Sequence, residues 1–196
     1  MTAHLVPSQP DGITLGILAG GRASRLDGRD KAWLERDGTP LVLAIAQRLA
    51  PQVDATIVSA NRNAERYLSH GLRAIHDRVA DIGPLGGLDA LAAECHSEWL
   101  LTVPVDAVSV NDCLVRSLLA AGAHGAWAED DDGSQPLIAL WRIEPLRDAV
   151  TAAIDAGDYA IHALQSRLGM ARVRFDGVRF GNLNTPGDLA LAGIAF

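Results

Sequence analysis

Four cationic side chains, Arg22, Arg25, Arg29 and Lys31, fall within ten residues and directly follow the pair Gly20-Gly21. Paired glycines let the backbone approach a ligand closely and adopt positive φ. Successive backbone N–H groups in such a loop form a concave nest for anions. The cations can balance several phosphates. The segment has neither the GxxxxGK[ST] spacing of a Walker loop nor the GxGxxG of a dinucleotide site. Its lysine is unusual in this chain, since 17 basic residues comprise 16 arginines and Lys31 alone. A compact ammonium and a planar guanidinium are not interchangeable, so Lys31 is a candidate for a role that arginine does not fill. A second candidate is Asp106, which closes the run Trp99-Leu100-Leu101-Thr102-Val103-Pro104-Val105. A carboxylate at the carboxyl end of a buried strand can hold magnesium, which binds phosphates through one or two protein carboxylates and several waters. It could equally cap the next helix.

These residues need a scaffold, and the pattern of apolar runs supplies one. Strands are expected at Ile13 to Leu18, Ala55 to Ser59, Leu72 to Ile75, Trp99 to Val103, Gly125 to Glu129, Leu137 to Trp141 and Arg172 to Phe175. Helices are expected at Pro40 to Ala50, Leu85 to Glu94, Asn111 to Ala121, Pro145 to Ala156 and Ile161 to Leu168. Alternating strands and helices make an α/β protein with a mostly parallel sheet covered on both faces. Ligands then sit beyond the carboxyl ends of the strands, at the switch point of the sheet. The loops after the first and fourth strands, which carry Lys31 and Asp106, lie at that edge. The stretch Asp130-Asp131-Asp132-Gly133-Ser134 reads as a hairpin loop, which makes one strand pair antiparallel.

The 196 residues are 48% hydrophobic and 21% charged, which fits one folded domain over 1–196, with residues 1–12 as a flexible tail. A net charge of −7 argues against general binding to nucleic acid or to an anionic membrane. No apolar stretch approaches bilayer-spanning length. No secretory signal pattern opens the chain. Cytoplasmic location is therefore expected. Cys95 and Cys113 have no CxxC spacing, which argues against a disulfide scaffold or zinc site. The six histidines lack metal-type spacing, and no Ser-His-Asp or Cys-His arrangement stands out. Trp33, Trp99, Trp127 and Trp141 are expected in the core or along a cleft wall.

The glycine segment resembles the signature LAGGxxxRxxGxDK of the molybdenum cofactor guanylyltransferases and their pyrophosphorylase-like relatives. It is complete at Leu18, Ala19, Gly20, Gly21, Arg25, Gly28, Asp30 and Lys31. The resemblance runs from about Ile13 to Leu191. It implies a three-layer α/β/α Rossmann-like nucleotidyltransferase fold. It also implies that Leu18, Ala19, Gly20 and Gly21 wrap a nucleoside triphosphate, with Arg25 and Lys31 neutralising phosphate charge. Asp106 matches the family's Pro-x-Asp and would hold Mg²⁺. Ser59 and Asp77 match positions that bind the guanosine, and Gly83-Pro84-Leu85 matches a loop beside the base. Asn182 and Asn184, in Asn182-Leu183-Asn184-Thr185-Pro186, match a segment bordering the pterin side. Gln135 occupies the place of a common histidine in the acceptor region.

Four positions depart from the family pattern: Asp27 for a glycine, Ser59 for an asparagine, Ala107 for a threonine or methionine, and Gln135. The implied reaction moves GMP from GTP to the phosphate of molybdenum-bearing molybdopterin and releases pyrophosphate. Cofactor-biosynthesis or insertion proteins are the implied partners. The same chemistry with CTP or another phosphorylated acceptor, and a non-catalytic nucleotide-binding module, stand as the alternatives.

Overall fold

Runs rich in Ile, Leu and Val become strands here because both faces of the sheet are covered. β1 (Ile13–Leu18) is buried at every position. In this computed structural model the described residues are 12–20, 30–181, 183 and 186–194. After β1 come the hairpin β2 (Glu35–Arg36) and β3 (Thr39–Pro40), then α1 (Leu41–Leu49), β4 (Ala55–Ser59), α2 (Ala64–Ser69), β5 (Arg73–Ile75) and α3 (Pro84–Glu94). The chain continues through β6 (Trp99–Pro104), α4 (Leu114–Ala121), β7 (Gly125–Asp130), β8 (Gly133–Arg142), α5 (Ile143–Asp155), α6 (Ile161–Arg167), β9 (Ala171–Arg174) and α7 (Pro186–Leu191).

Seven strands form one sheet in the order β5-β4-β1-β6-β8-β7-β9. All run parallel except β8, which is antiparallel to both β6 and β7. One face packs Leu41, Val42, Ile45 and Leu49 of α1 and Leu114, Val115 and Leu118 of α4. The other packs Leu85, Leu88 and Leu91 of α3 with Leu146 and Val150 of α5. This is the expected α/β/α arrangement. β4 lies on one side of β1 and β6 on the other, so the order reverses at β1. Such a reversal opens a crevice beyond the carboxyl ends of the strands.

All seven expected strands are present, with ends shifted by up to a few residues. The turn Asp131-Asp132 makes the expected hairpin, with Gly133 at φ +113° closing it. β8 is longer than expected and bridges β6 and β7, so two strand pairs are antiparallel rather than one. The helix expected from Asn111 starts at Leu114, because the Asn111 side chain accepts the Cys113 amide (3.1 Å) in a turn of its own. α2 is not evident in the apolar pattern: it has six residues and buries Tyr67 alone. Among the described residues no helix is long and apolar enough to cross a membrane.

Candidate active site

Backbone hydrogen bonds lace the ends of three strands together. The Ala19 amide donates to Ser59 O (2.9 Å) and the Val105 amide to Leu18 O (3.0 Å). The start of the glycine loop, the end of β4 and the turn carrying Asp106 therefore lie side by side at the switch point. Gly20 sits over β4: a Cβ there would lie 3.7 Å from Ser59 Oγ and 3.8 Å from Asn61 Nδ2.

Lys31 opens a short 3-10 turn, Lys31–Trp33, which holds its backbone in two ways. Asp30 caps the turn, its Oδ1 accepting the Ala32 amide (3.1 Å) while its Oδ2 accepts from Asn63 Nδ2 (3.1 Å). Trp33 is buried, packs its ring 4.9 Å from that of Tyr67, and carries the Arg66 guanidinium 4.1 Å from its ring centre. Burial, reinforced by the charge of Asp30, raises the Tyr67 hydroxyl above its ordinary pKa, so Tyr67 stays neutral. From this base the Lys31 ammonium reaches Asp106, with Nζ 3.0 Å from Oδ2. Both side chains remain about a fifth exposed, at 23% and 19%. Ala107 is buried and its amide closes a turn onto Pro104 O (3.0 Å), so its departure from the family pattern leaves the turn under Asp106 intact.

At the other end of the crevice, Asp77 follows β5. Its Oδ1 accepts from Ser59 Oγ (3.2 Å), its Oδ2 accepts from Asn61 Nδ2 (2.8 Å), and its amide donates to Asn61 Oδ1 (2.9 Å). Ser59 is fully buried. Gly87 on α3 allows that burial, since a Cβ there would lie 2.8 Å from Ser59 Oγ. The expected Gly83-Pro84-Leu85 turn is present: Gly83 at φ +66° leads into Pro84, the first residue of α3. Arg78 pins the same loop to α3 with two 2.9 Å hydrogen bonds to Asp89, whose side chain is 4% exposed. Arg78→Ala leaves that buried carboxylate without these donors. It is expected to cost about 1–3 kcal/mol of stability, measurable as a lowered midpoint in urea denaturation.

Gln135 holds a position in the fold that composition alone does not suggest. Its Nε2 donates to Asp130 Oδ1 (3.1 Å). Asp130 is fully buried and also accepts the Asp132 and Phe180 amides (2.9 and 2.8 Å). Asp130 thus anchors the β7–β8 turn, and Gln135 helps hold it. Gly21, Arg25, Asn182 and Asn184, together with Asp27, Gly28 and Thr185, lie outside the described residues. The structure thus brings together Leu18, Ala19, Gly20, Lys31, Ser59, Asp77 and Asp106. Asp30, Asn61 and Gly87 are the supporting residues that sequence reasoning did not single out. Asp30 stands inside the quoted signature, but the partners of Asp30 and Asn61 are 33 and 16 positions away.

A cation at this site would meet hard oxygen. Asp106 is the carboxylate that meets the lysine among the described residues, and no cluster of three or more His, Cys, Asp or Glu occurs among them. One carboxylate with phosphate oxygens and water fits magnesium and does not fit a soft transition metal. A separate cavity of about 510 Å³, lined by Arg36, Ile45, Arg48 and Val108, includes none of these site residues.

A switch-point crevice carrying a glycine-led loop, an ammonium and one carboxylate defines an α/β nucleotidyltransferase. Residues 15–171 match the family described as the MobA-like NTP transferase domain, and the chain belongs to that family. It is 35% identical over 188 residues to a molybdenum cofactor guanylyltransferase of Yersinia pestis (strain Pestoides F), covering 93% of this chain and 95% of that protein. Its fold is similar to that of molybdopterin-guanine dinucleotide biosynthesis protein A from Archaeoglobus fulgidus, with a TM-score of 0.72, 23% identity, and coverage of 92% of this chain and 96% of that one. It is also similar to 2-C-methyl-D-erythritol 4-phosphate cytidylyltransferase from Thermus thermophilus, with a TM-score of 0.67, 16% identity, and coverage of 91% and 96%. Nucleotidyltransferases of this kind generally use a divalent metal.

Proposed function

We propose that this protein is a molybdenum cofactor guanylyltransferase that transfers GMP from GTP to the terminal phosphate of molybdenum-bearing molybdopterin. The observation that carries the reading is the Lys31–Asp106 contact at the sheet switch point. An oxygen of the acceptor phosphate attacks the α-phosphorus of GTP. A new P–O–P bond forms, the bond from the α-phosphorus to the bridging oxygen breaks, and pyrophosphate leaves with that electron pair. The acceptor phosphate is anionic near neutral pH, so no strong general base is required. What the protein supplies is position and charge.

Leu18, Ala19, Gly20 and Gly21 wrap the nucleotide; the Ala19 amide is taken by Ser59 O, so the backbone N–H groups offered to the triphosphate begin at Gly20, and Lys31 and Arg25 offset the charge that develops on pyrophosphate. Asp106 would hold Mg²⁺, whose chemistry there is to neutralise phosphate charge and orient the reacting oxygens. Asp77 accepts hydrogen bonds from the guanine edge. Ser59 stands with Asp77 on the guanosine side and donates to its carboxylate. Gln135, Asn182 and Asn184 belong to the acceptor side. The protein works in the cytoplasm, with cofactor-insertion proteins as partners and without nucleic acid or membrane.

The test is pyrophosphate release with magnesium and molybdenum-loaded molybdopterin, with GTP, CTP, ATP and UTP supplied separately. Release with GTP well above the other three is expected. Preference for CTP would assign the chain to cytidylyl transfer, and binding without release from any nucleotide would make it a binding module.

A further inference from the structure

We infer that Asn61 is the positioning residue through which this protein selects guanine. The inference rests on the reading that Asp77 meets the base. A carboxylate that reads guanine must accept N1–H and N2–H together, so its two oxygens must lie in the plane of the base. The last torsion of an aspartate is broad, and a carboxylate fixed at one point can turn out of that plane.

In this structure Asp77 is not fixed at one point. Asn61 donates from Nδ2 to Asp77 Oδ2 (2.8 Å) and accepts the Asp77 amide at Oδ1 (2.9 Å). One planar amide thus holds both the carboxylate and the backbone of the same residue. Ser59 Oγ adds a third hydrogen bond, at 3.2 Å, on the other carboxylate oxygen. Each carboxylate oxygen has about two lone-pair sites, so each keeps capacity for a base N–H after its protein donor is satisfied. The arrangement also differs from a buried structural clasp. Ser59 is fully buried, whereas Asn61 is exposed and its Nδ2 lies 3.8 Å from where a Gly20 Cβ would be. Asn61 therefore stands between the start of the phosphate loop and the base-reading carboxylate, able to align one with the other.

Adenine presents an acceptor at N1 and no 2-amino group, so a carboxylate held in this plane repels it. Hypoxanthine keeps N1–H and lacks the amino group. The fixed carboxylate therefore predicts affinity in the order GTP, ITP, ATP. Removing Asn61 should loosen the carboxylate and compress that order.

The experiment is equilibrium binding of GTP, ITP and ATP with magnesium to wild type, Asn61→Leu, Asn61→Asp and Asp77→Asn, each checked for an unchanged circular-dichroism spectrum. Loss of hydrogen bonds to a charged group is expected to weaken GTP binding by about tenfold or more in Asn61→Leu. The ratio of GTP to ITP affinity should fall with it, and Asn61→Asp, which sets a second carboxylate against the first, should be worse. If Asn61→Leu fails to fold, Asn61→Ser provides the same comparison. A uniform loss for all three nucleotides with the ratio kept would mean a merely structural role and would overturn the proposal. Wild-type behaviour of Asn61→Leu beside a lost preference in Asp77→Asn would overturn it while sparing Asp77. An unchanged preference in Asp77→Asn would remove the reading of Asp77 on which it rests.

Discussion

Lys31→Ala is expected to lower turnover by at least about 100-fold, the loss typical of removing one preorganised electrostatic contact. The substitution should leave the fold unharmed. The Lys31–Asp106 pair is about a fifth exposed on each side, and pairs near solvent stabilise by about 1 kcal/mol or less. The 3-10 turn that carries Lys31 is held by Asp30 and Trp33, not by the ammonium. Loss of activity with an unchanged melting temperature is therefore the expected pattern. Lys31→Arg should restore only part of the activity. The larger planar guanidinium cannot occupy the space of a compact ammonium 3.0 Å from Asp106. Steady-state kinetics of the two variants, set beside thermal melts, check this directly.

Asp106→Asn is expected to be at least as severe, again about 100-fold or more in turnover. The amide keeps the shape of the side chain and removes its charge. The turn beneath it is made by backbone groups, with the Ala107 amide on Pro104 O and the Ser109 amide on Phe180 O, so it should persist. Two readouts separate loss of metal binding from loss of structure. The apparent magnesium requirement for turnover should rise, while the urea midpoint should stay near that of wild type. A variant that turns over normally at low magnesium would remove Asp106 from the site.

Much of the scaffold was legible because the signal is local. β1 is a largely apolar run, and Asp106 follows another, so burial of the strands places both loops at one edge of the sheet. Gly83 and Pro84 announce the start of α3 through their own backbone preferences. Long-range pairing was not legible in the same way. Nothing near Asn61 says that Asp77 will close on it, and nothing near Gln135 says that its amide will serve a buried Asp130. Asp130, Asp131 and Asp132 look alike in a row. Only the fold buries the first completely and leaves the next two in the turn. The hydrophobic pattern was also silent about β8 running antiparallel to two neighbours, because strand direction depends on connections and not on which residues are apolar. Of the candidate residues, Ser59 needed the structure most. Its identity says nothing of its burial or of the hydrogen bond it gives Asp77.

Guanylyl transfer requires that the α-phosphorus of GTP be the atom attacked. The most direct measurement supplies GTP labelled either at the α- or at the γ-phosphate, with magnesium and molybdenum-loaded molybdopterin, and follows where each label goes. The α-label is expected to enter the pterin product while the γ-label leaves as pyrophosphate. A γ-label on the acceptor, or its release as orthophosphate without α-label transfer, would contradict it.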